Sequence, residues 1–138
     1  MSPAGYSGTP LAKKLGIRDG DRLALVGAPG RALDLLDPLP PGVEVLGSLS
    51  PADVVVFFGT ERAELAARID ALGEAVFPDG ACWVAWPKRA SSVPTDVTED
   101  VVREVALPLG LVDTKVCAVD ETWSALKLVW RRELRAGR

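Results

Sequence analysis

The chain has 138 residues and a net charge of −3, with 48% hydrophobic and 25% charged residues. That is the size and balance of one ordinary domain burying its own core, and it excludes a disordered, collagen-like or coiled-coil chain. The absence of histidine excludes Ser-His-Asp and Cys-His catalysis, histidine acid–base chemistry and nearly all zinc sites.

Thr9-Pro10-Leu11-Ala12-Lys13-Lys14-Leu15-Gly16 predicts a short first helix: Thr9 caps, Pro10 suits the first position and Gly16 the left-handed stop. After the turn Asp19-Gly20-Asp21, the apolar run Arg22 to Gly27 reads as a buried strand. Ala28-Pro29-Gly30 feeds a helix from Arg31 to Leu36, and three prolines between Asp37 and Gly42 end it. Val43 to Leu46 is a weak strand. Asp53-Val54-Val55-Val56-Phe57-Phe58 has no polar interruption after Asp53 and predicts a strand buried on both faces.

Thr60 to Ala75 is the clearest helix, with Thr60 as its cap and Leu65, Ile69 and Leu72 at helical spacing. Ala81 to Trp86 is another buried strand, followed by the polar loop Pro87 to Pro94. Asp96 and Glu99 suggest a capping box for a helix reaching about Leu107. Leu111 to Val119 and Thr122 to Trp130 then form an antiparallel hairpin. Strands alternating with helices imply an α/β, three-layer fold whose mostly parallel sheet of about six strands ends in that hairpin. One domain is expected over 1–138, with a short-helix segment at 1–20, a core at 21–132 and a tail at 133–138.

Cys82 and Cys117 lie far apart in apolar runs, so free buried thiols are expected. Arg131, Arg132, Arg135 and Arg138 are expected to form a solvated tail, the alternative being a small anionic contact. The acidic balance gives no general attraction to nucleic acid. MSPAGYSGTP lacks the basic and apolar regions of a signal peptide, and no apolar stretch approaches the length of a membrane span. A cytoplasmic location is the resulting expectation.

The element order resembles a reduced Rossmann-type methyltransferase fold over Gly16 to Arg132. One strand–helix unit is missing between Val43–Leu46 and Asp53–Phe58. At the level of residues, the chain resembles a family of small bacterial proteins of unknown function with methyltransferase-like character. Two segments carry that resemblance: Tyr6-Ser7-Gly8 through Lys14-Leu15-Gly16-Ile17, and Trp83-Val84-Ala85-Trp86-Pro87-Lys88 through Cys117-Ala118-Val119-Asp120-Glu121. The resemblance implies the fold and brings no established activity.

In open α/β sheets ligands bind beyond the carboxyl ends of the strands. Two candidate loops fall there. The first is the cofactor candidate Gly27-Ala28-Pro29-Gly30-Arg31, whose glycines allow close backbone approach and whose following helix start favours an anion. Methyltransferases usually have a more glycine-rich loop here, often after an acidic residue, and an acid at the end of the second strand for ribose hydroxyls. This chain has Leu46-Gly47-Ser48 there, and Glu44 comes too early. The second loop is the ligand candidate Trp86, Pro87, Lys88, Arg89, Ser91 and Ser92: an aromatic face, two cations and two hydroxyls. The preceding strand ends in Phe57-Phe58-Gly59-Thr60, without the acid or amide of a methyltransferase proline motif. Asp120 and Glu121 make only a weak metal pair beside Lys115 and Trp123.

Three readings stay open. The first is a non-catalytic module binding a small anionic or nucleotide-like ligand on a degenerate methyltransferase scaffold. The second is an S-adenosylmethionine-dependent methyltransferase, since methyl transfer needs alignment more than acid–base groups. The third is an interaction domain, with a homodimer formed through the Val43–Leu46 edge and the hairpin tryptophans Trp123 and Trp130.

Overall fold

β-Branched and aromatic runs leave strands with nothing to show water, and they set this sheet. A computed structural model describes residues 9–136; Tyr6, Ser7, Gly8 and Arg138, used in the sequence reading, lie outside them. The elements are α1 (Leu11–Lys14), β1 (Arg22–Val26), α2 (Ala32–Leu36), β2 (Glu44–Leu46), β3 (Val54–Phe58), α3 (Arg62–Val76), β4 (Ala81–Pro87), α4 (Glu99–Ala106), β5 (Leu111–Ala118), β6 (Trp123–Trp130) and α5 (Arg132–Arg135). Single 3₁₀ turns cover Arg89–Ser91 and Leu107–Leu109.

The six strands form one sheet in the order β2-β1-β3-β4-β6-β5. β1, β2, β3 and β4 pair in parallel, and β6 runs antiparallel between β4 and β5. The chain has the expected α/β Rossmann-like architecture. Every residue of β3 and β4 is buried, so both faces need cover. Val55 and Phe57 pack with Leu65, Leu72 and Val102 beneath α3 and α4. Val54, Val56 and Phe58 pack with Leu11, Leu15 and Leu36 beneath α1 and α2. Between β2 and β3 no helix intervenes; Leu49 and Ala52 of the connection pack on the α3 side instead.

Two buried tryptophans tie helices to the sheet. Trp83 Nε1 donates to Leu15 O at 2.9 Å, and Trp130 Nε1 donates to Gly73 O at 2.8 Å. A Cβ on Gly73 would lie 2.9 Å from the Trp130 ring, so that glycine permits the close approach of α3 to β6. These bonds satisfy the polar ends of rings that otherwise fill the core. β2 and the β5–β6 hairpin occupy opposite sides of the sheet. The surface expected from Val43–Leu46 together with Trp123 and Trp130 is therefore not one surface, and Trp130 is buried.

Three expected caps are reassigned. No side chain caps α1, where Pro10 rather than Thr9 holds the N-cap position. α3 begins at Arg62, and its first amide donates to Asp96 Oδ1 at 2.6 Å; Thr60 instead accepts through its carbonyl from Thr95 Oγ1 at 2.7 Å. α4 is capped by Thr98, which accepts from Val101 N, while Glu99 pairs with Arg103. Short polar side chains bond whichever amide the tertiary fold presents. The C-terminal segment begins with a short helix, α5, on which Arg132 is exposed and Arg135 half-buried, with Arg135 Nε donating to Trp130 O and the exposed Arg131 donating through Nη2 to Leu107 O. Both cysteines are free: Cys82 is buried and Cys117 half-buried. No helix among the described residues is long and apolar enough to cross a membrane.

Trp83→Phe removes the donor and leaves Leu15 O without its partner. We expect a stability loss of about 2 kcal/mol, read as a lower urea midpoint at unchanged slope. An unchanged midpoint would show that the bond contributes nothing net.

Candidate functional site

Strand order reverses at β1, because β2 lies on one side of it and β3 on the other. The carboxyl ends of β1 and β3 therefore flank a topological switch point, where open α/β sheets bind ligands. The Gly27–Arg31 loop leaves β1 at that point. Gly27 has φ +69°, and a Cβ there would meet Phe58 O at 2.8 Å. Its freedom is used to pack the β1 exit against the β3 exit. At Gly30 a Cβ would meet nothing within 4 Å, so open space lies beside that part of the loop. α2 has only five residues. The expected attraction of a helix N-terminus for anions is correspondingly small, since few peptide dipoles align.

Arg31 crosses the edge of the sheet. Its Nη2 donates to Asp120 Oδ2 at 2.5 Å. The second carboxylate oxygen, Oδ1, accepts from Thr122 N and Trp123 N, both at 2.8 Å. The Asp120 side chain is 8% exposed and that of Arg31 is 58% exposed. Asp120 thus forms the β5–β6 turn and holds the glycine loop to it. It serves as a backbone and guanidinium acceptor, not as half of a metal pair. Among the described residues no group of three or more potential ligands could hold a metal ion.

The second expected loop is divided. Trp86 is only 8% exposed and belongs to the core under α3 and α4, so it offers no open platform. Pro87 is buried with it. Ser91 Oγ donates to Lys88 O at 2.7 Å and accepts from Val93 N, closing the 3₁₀ turn. Lys88 is half-buried, and its amide donates to Thr122 O at 2.7 Å; Arg89 and Ser92 are exposed, Ser92 with φ 65°.

The structure thus joins the Gly27–Arg31 loop and the start of the Lys88 loop through one intermediary, the Asp120–Trp123 turn. Sequence reasoning missed that role. Arg31 and Asp120 are 89 positions apart, and no local pattern signals such a pair. Trp123 is the aromatic at this edge: it is half-buried and meets the Phe58 ring edge-on at 5.1 Å.

Elsewhere, an open cleft of about 360 Å³ lies at the amino ends of the strands, bordered by Asp21, Asp53, Asp79 and Lys127. Burial pushes the Lys127 ammonium below its usual pKa, and Lys115 and Arg18 add to the shift. Burial raises the Cys82 thiol to about 12 and also raises Cys117, there opposed by Lys14 and Lys115. Neither thiol has the lowered pKa of a catalytic nucleophile.

Neither a protein-family model nor a curated protein sequence matches the chain. Solved structures do. A methyltransferase from Aquifex aeolicus dependent on S-adenosylmethionine aligns with a TM-score of 0.59 at 14% identity, over 84% of this chain and 85% of that one. Its sheet is shared, not its sequence. The fold is the Rossmann-like methyltransferase fold. Aeropyrum pernix fibrillarin, solved with bound S-adenosyl-L-methionine, aligns at 0.59 and 14% identity over 91% of this chain and 70% of its own. The O-methyltransferase NcsB1 of neocarzinostatin biosynthesis aligns at 0.61 and 14% identity over 93% of this chain; the chain spans about half of that enzyme, 51%.

Gly27→Ala forces a Cβ against Phe58 O at a positive φ. The expected cost is about 2 kcal/mol, read by urea unfolding; wild-type stability would mean that the loop relaxes freely. The Cys82 shift predicts a pH effect. The folded thiol stays neutral up to about 12, whereas the usual value is 9.0. Its contribution is complete below the usual value and is lost as pH rises from there through the folded value. Cys82→Ala should therefore show a smaller alkaline loss of unfolding free energy than wild type. Parallel pH curves would contradict this.

Proposed function

We propose that the chain binds an adenosyl-sulfur ligand, S-adenosylmethionine or its demethylated product, over the carboxyl ends of β1 and β3, as a protein of the methyltransferase type. One observation carries this reading: the Gly27–Arg31 loop leaves β1 at the switch point of a sheet with methyltransferase topology. The backbone suits such a ligand, since Gly30 borders open space. Gly27, Ala28, Pro29 and Gly30 would face it with main chain, and Arg31 with its guanidinium. The fit is looser at β2. Leu46-Gly47-Ser48 supplies a hydroxyl where a carboxylate would bind ribose more tightly, and Glu44 pairs with Arg22 at 3.4 Å at the strand's other end. When bound, S-adenosylmethionine supplies an electrophilic methyl group, so the chain's task is to hold and align it while excluding water.

A second reading, binding without turnover, rests on the exit of β3. Gly59 N donates to Ala85 O, and Thr60 O accepts from Thr95 Oγ1 and Asp96 N. This stretch is committed to internal bonds and carries no acid or amide to orient an acceptor.

Thermal unfolding against S-adenosylmethionine, S-adenosylhomocysteine, adenine and nicotinamide nucleotides and phosphate tests both readings. A ligand at 100 times its Kd stabilises by about 2.7 kcal/mol, which raises Tm by roughly 5 °C or more. A rise confined to the two adenosyl-sulfur compounds is expected. No rise with either removes both readings as stated. A rise without S-adenosylhomocysteine formation across an acceptor panel favours binding alone.

A further inference from the structure

We infer that Arg18, Lys115 and Lys127 form a binding site for a phosphate-class anion, set where the β5–β6 hairpin meets the cleft at the amino ends of the parallel strands. Lys127 pairs with Trp83 of β4 on one side and with Lys115 of β5 on the other. Residues directly opposite in an antiparallel ladder share a face, so both lysines stand on the face that Trp83 fills beneath α1. Arg18 and Lys127 border the same open cleft of about 360 Å³. This site lies away from the carboxyl edge and does not depend on the reading proposed there.

A register irregularity puts Lys115 in this place. Asp113 stands opposite Leu128 and Lys115 opposite Lys127, so Thr114 is the extra residue of a bulge. In a regular strand residues 113 and 115 would share a face. Here Asp113 accepts from Arg103 of α4 on one face, and Lys115 is turned onto the other beside Lys127. Without the extra residue Lys115 would oppose Leu126 on the α4 side. Bulges re-aim single side chains in this way. The result costs stability in the free protein, since like charges directly opposite one another repel, and Arg18 adds a third cation.

Among the described residues no side-chain partner offsets that repulsion: none of the three side chains forms an ion pair or hydrogen bond. Asp21, Asp53 and Asp79 also border the cleft. Asp21 and Asp53 accept the backbone amides of Arg18 and Arg22, and the charges acting on the Lys127 ammonium are the cations Lys115 and Arg18. Lys127 is half-buried, while Lys115 and Arg18 are exposed. One ammonium is thus partly stripped of water, and its two neighbours stay open to a ligand. Three cations from three segments, in a chain of net charge −3, suit a compact anion of multiple charge. Phosphate is such an anion, with oxygens for the two lysine point charges and for the arginine fork.

Amide chemical-shift titration of the full chain tests this, with inorganic phosphate, glycerol phosphate and ribose phosphate as probes and chloride at matched ionic strength as the control. Saturable shifts centred on Arg18, Lys115 and Lys127 are expected with the phosphates and not with chloride. Lys127→Gln and Lys115→Gln should each weaken phosphate binding by about tenfold, the factor one charge-assisted hydrogen bond supplies. Each should also raise the Tm of the phosphate-free protein by about 2 °C, because it removes a repulsion. Loss of affinity coupled to a gain of stability marks a ligand site. Equal affinity for the three probes supports free phosphate as the ligand. Tighter binding of an ester, with shifts extending to Val54 and Gly80 of the cleft, supports the phosphate group of a larger molecule. Absence of saturable shifts, shifts that chloride reproduces, or affinity unchanged in both variants overturns the inference. A lower Tm in both variants together with lost affinity assigns the lysines a structural role and also overturns it.

Discussion

Every residue of β3 and β4 is buried. Parallel strands of this kind are stable only when both faces are covered. The cover is unequal. Helix α3 runs for 15 residues and, with α4, closes one face through Leu65, Leu72, Val102 and Ala106. Among the described residues the other face has only the short helices α1 and α2, of four and five residues. Helices this short do not hold themselves together in water. Their place depends on side chains that sink into the sheet, such as Leu11, Leu15 and Leu36, and on the bond from Trp83 Nε1 to Leu15 O.

With both faces occupied, the carboxyl edge is where loops can meet a ligand. Its parts come from distant stretches of chain and are held by few bonds. Asp120 gathers Arg31 and its own turn, and Lys88 N joins the same turn through Thr122 O. Asp96 and Thr95 bring the following loop onto the start of α3. Charge and structure are coupled here: a nearly buried carboxylate with three donors is a sound hinge point, because removing any partner leaves buried charge less well satisfied.

The sheet was legible because hydrophobic pattern is local. Val54 to Phe58 and Ala81 to Trp86 each announce a doubly buried strand, and the hairpin follows from two long runs around a short polar turn. Caps were less legible. Thr60, Asp96 and Glu99 stand where local rules place caps, yet the amide that Asp96 receives belongs to α3, 34 positions earlier. Tryptophans were harder still. Trp86 and Trp123 lie on similar strands, and only the register between β4 and β6 puts the first in the core and the second at the edge beside Phe58.

Composition and periodicity alone settled the fold class, the order of elements from α1 to β6, the unreactive state expected of Cys82 and the exclusion of histidine chemistry. These depend on the polarity of neighbouring residues and on which amino acids are present at all. The joining of Arg31 to Asp120, the burial of Trp86 and the role of Gly27 against Phe58 O came only with the tertiary structure. Each is a meeting of groups far apart in the chain, and its energy arises from geometry that no local spacing encodes.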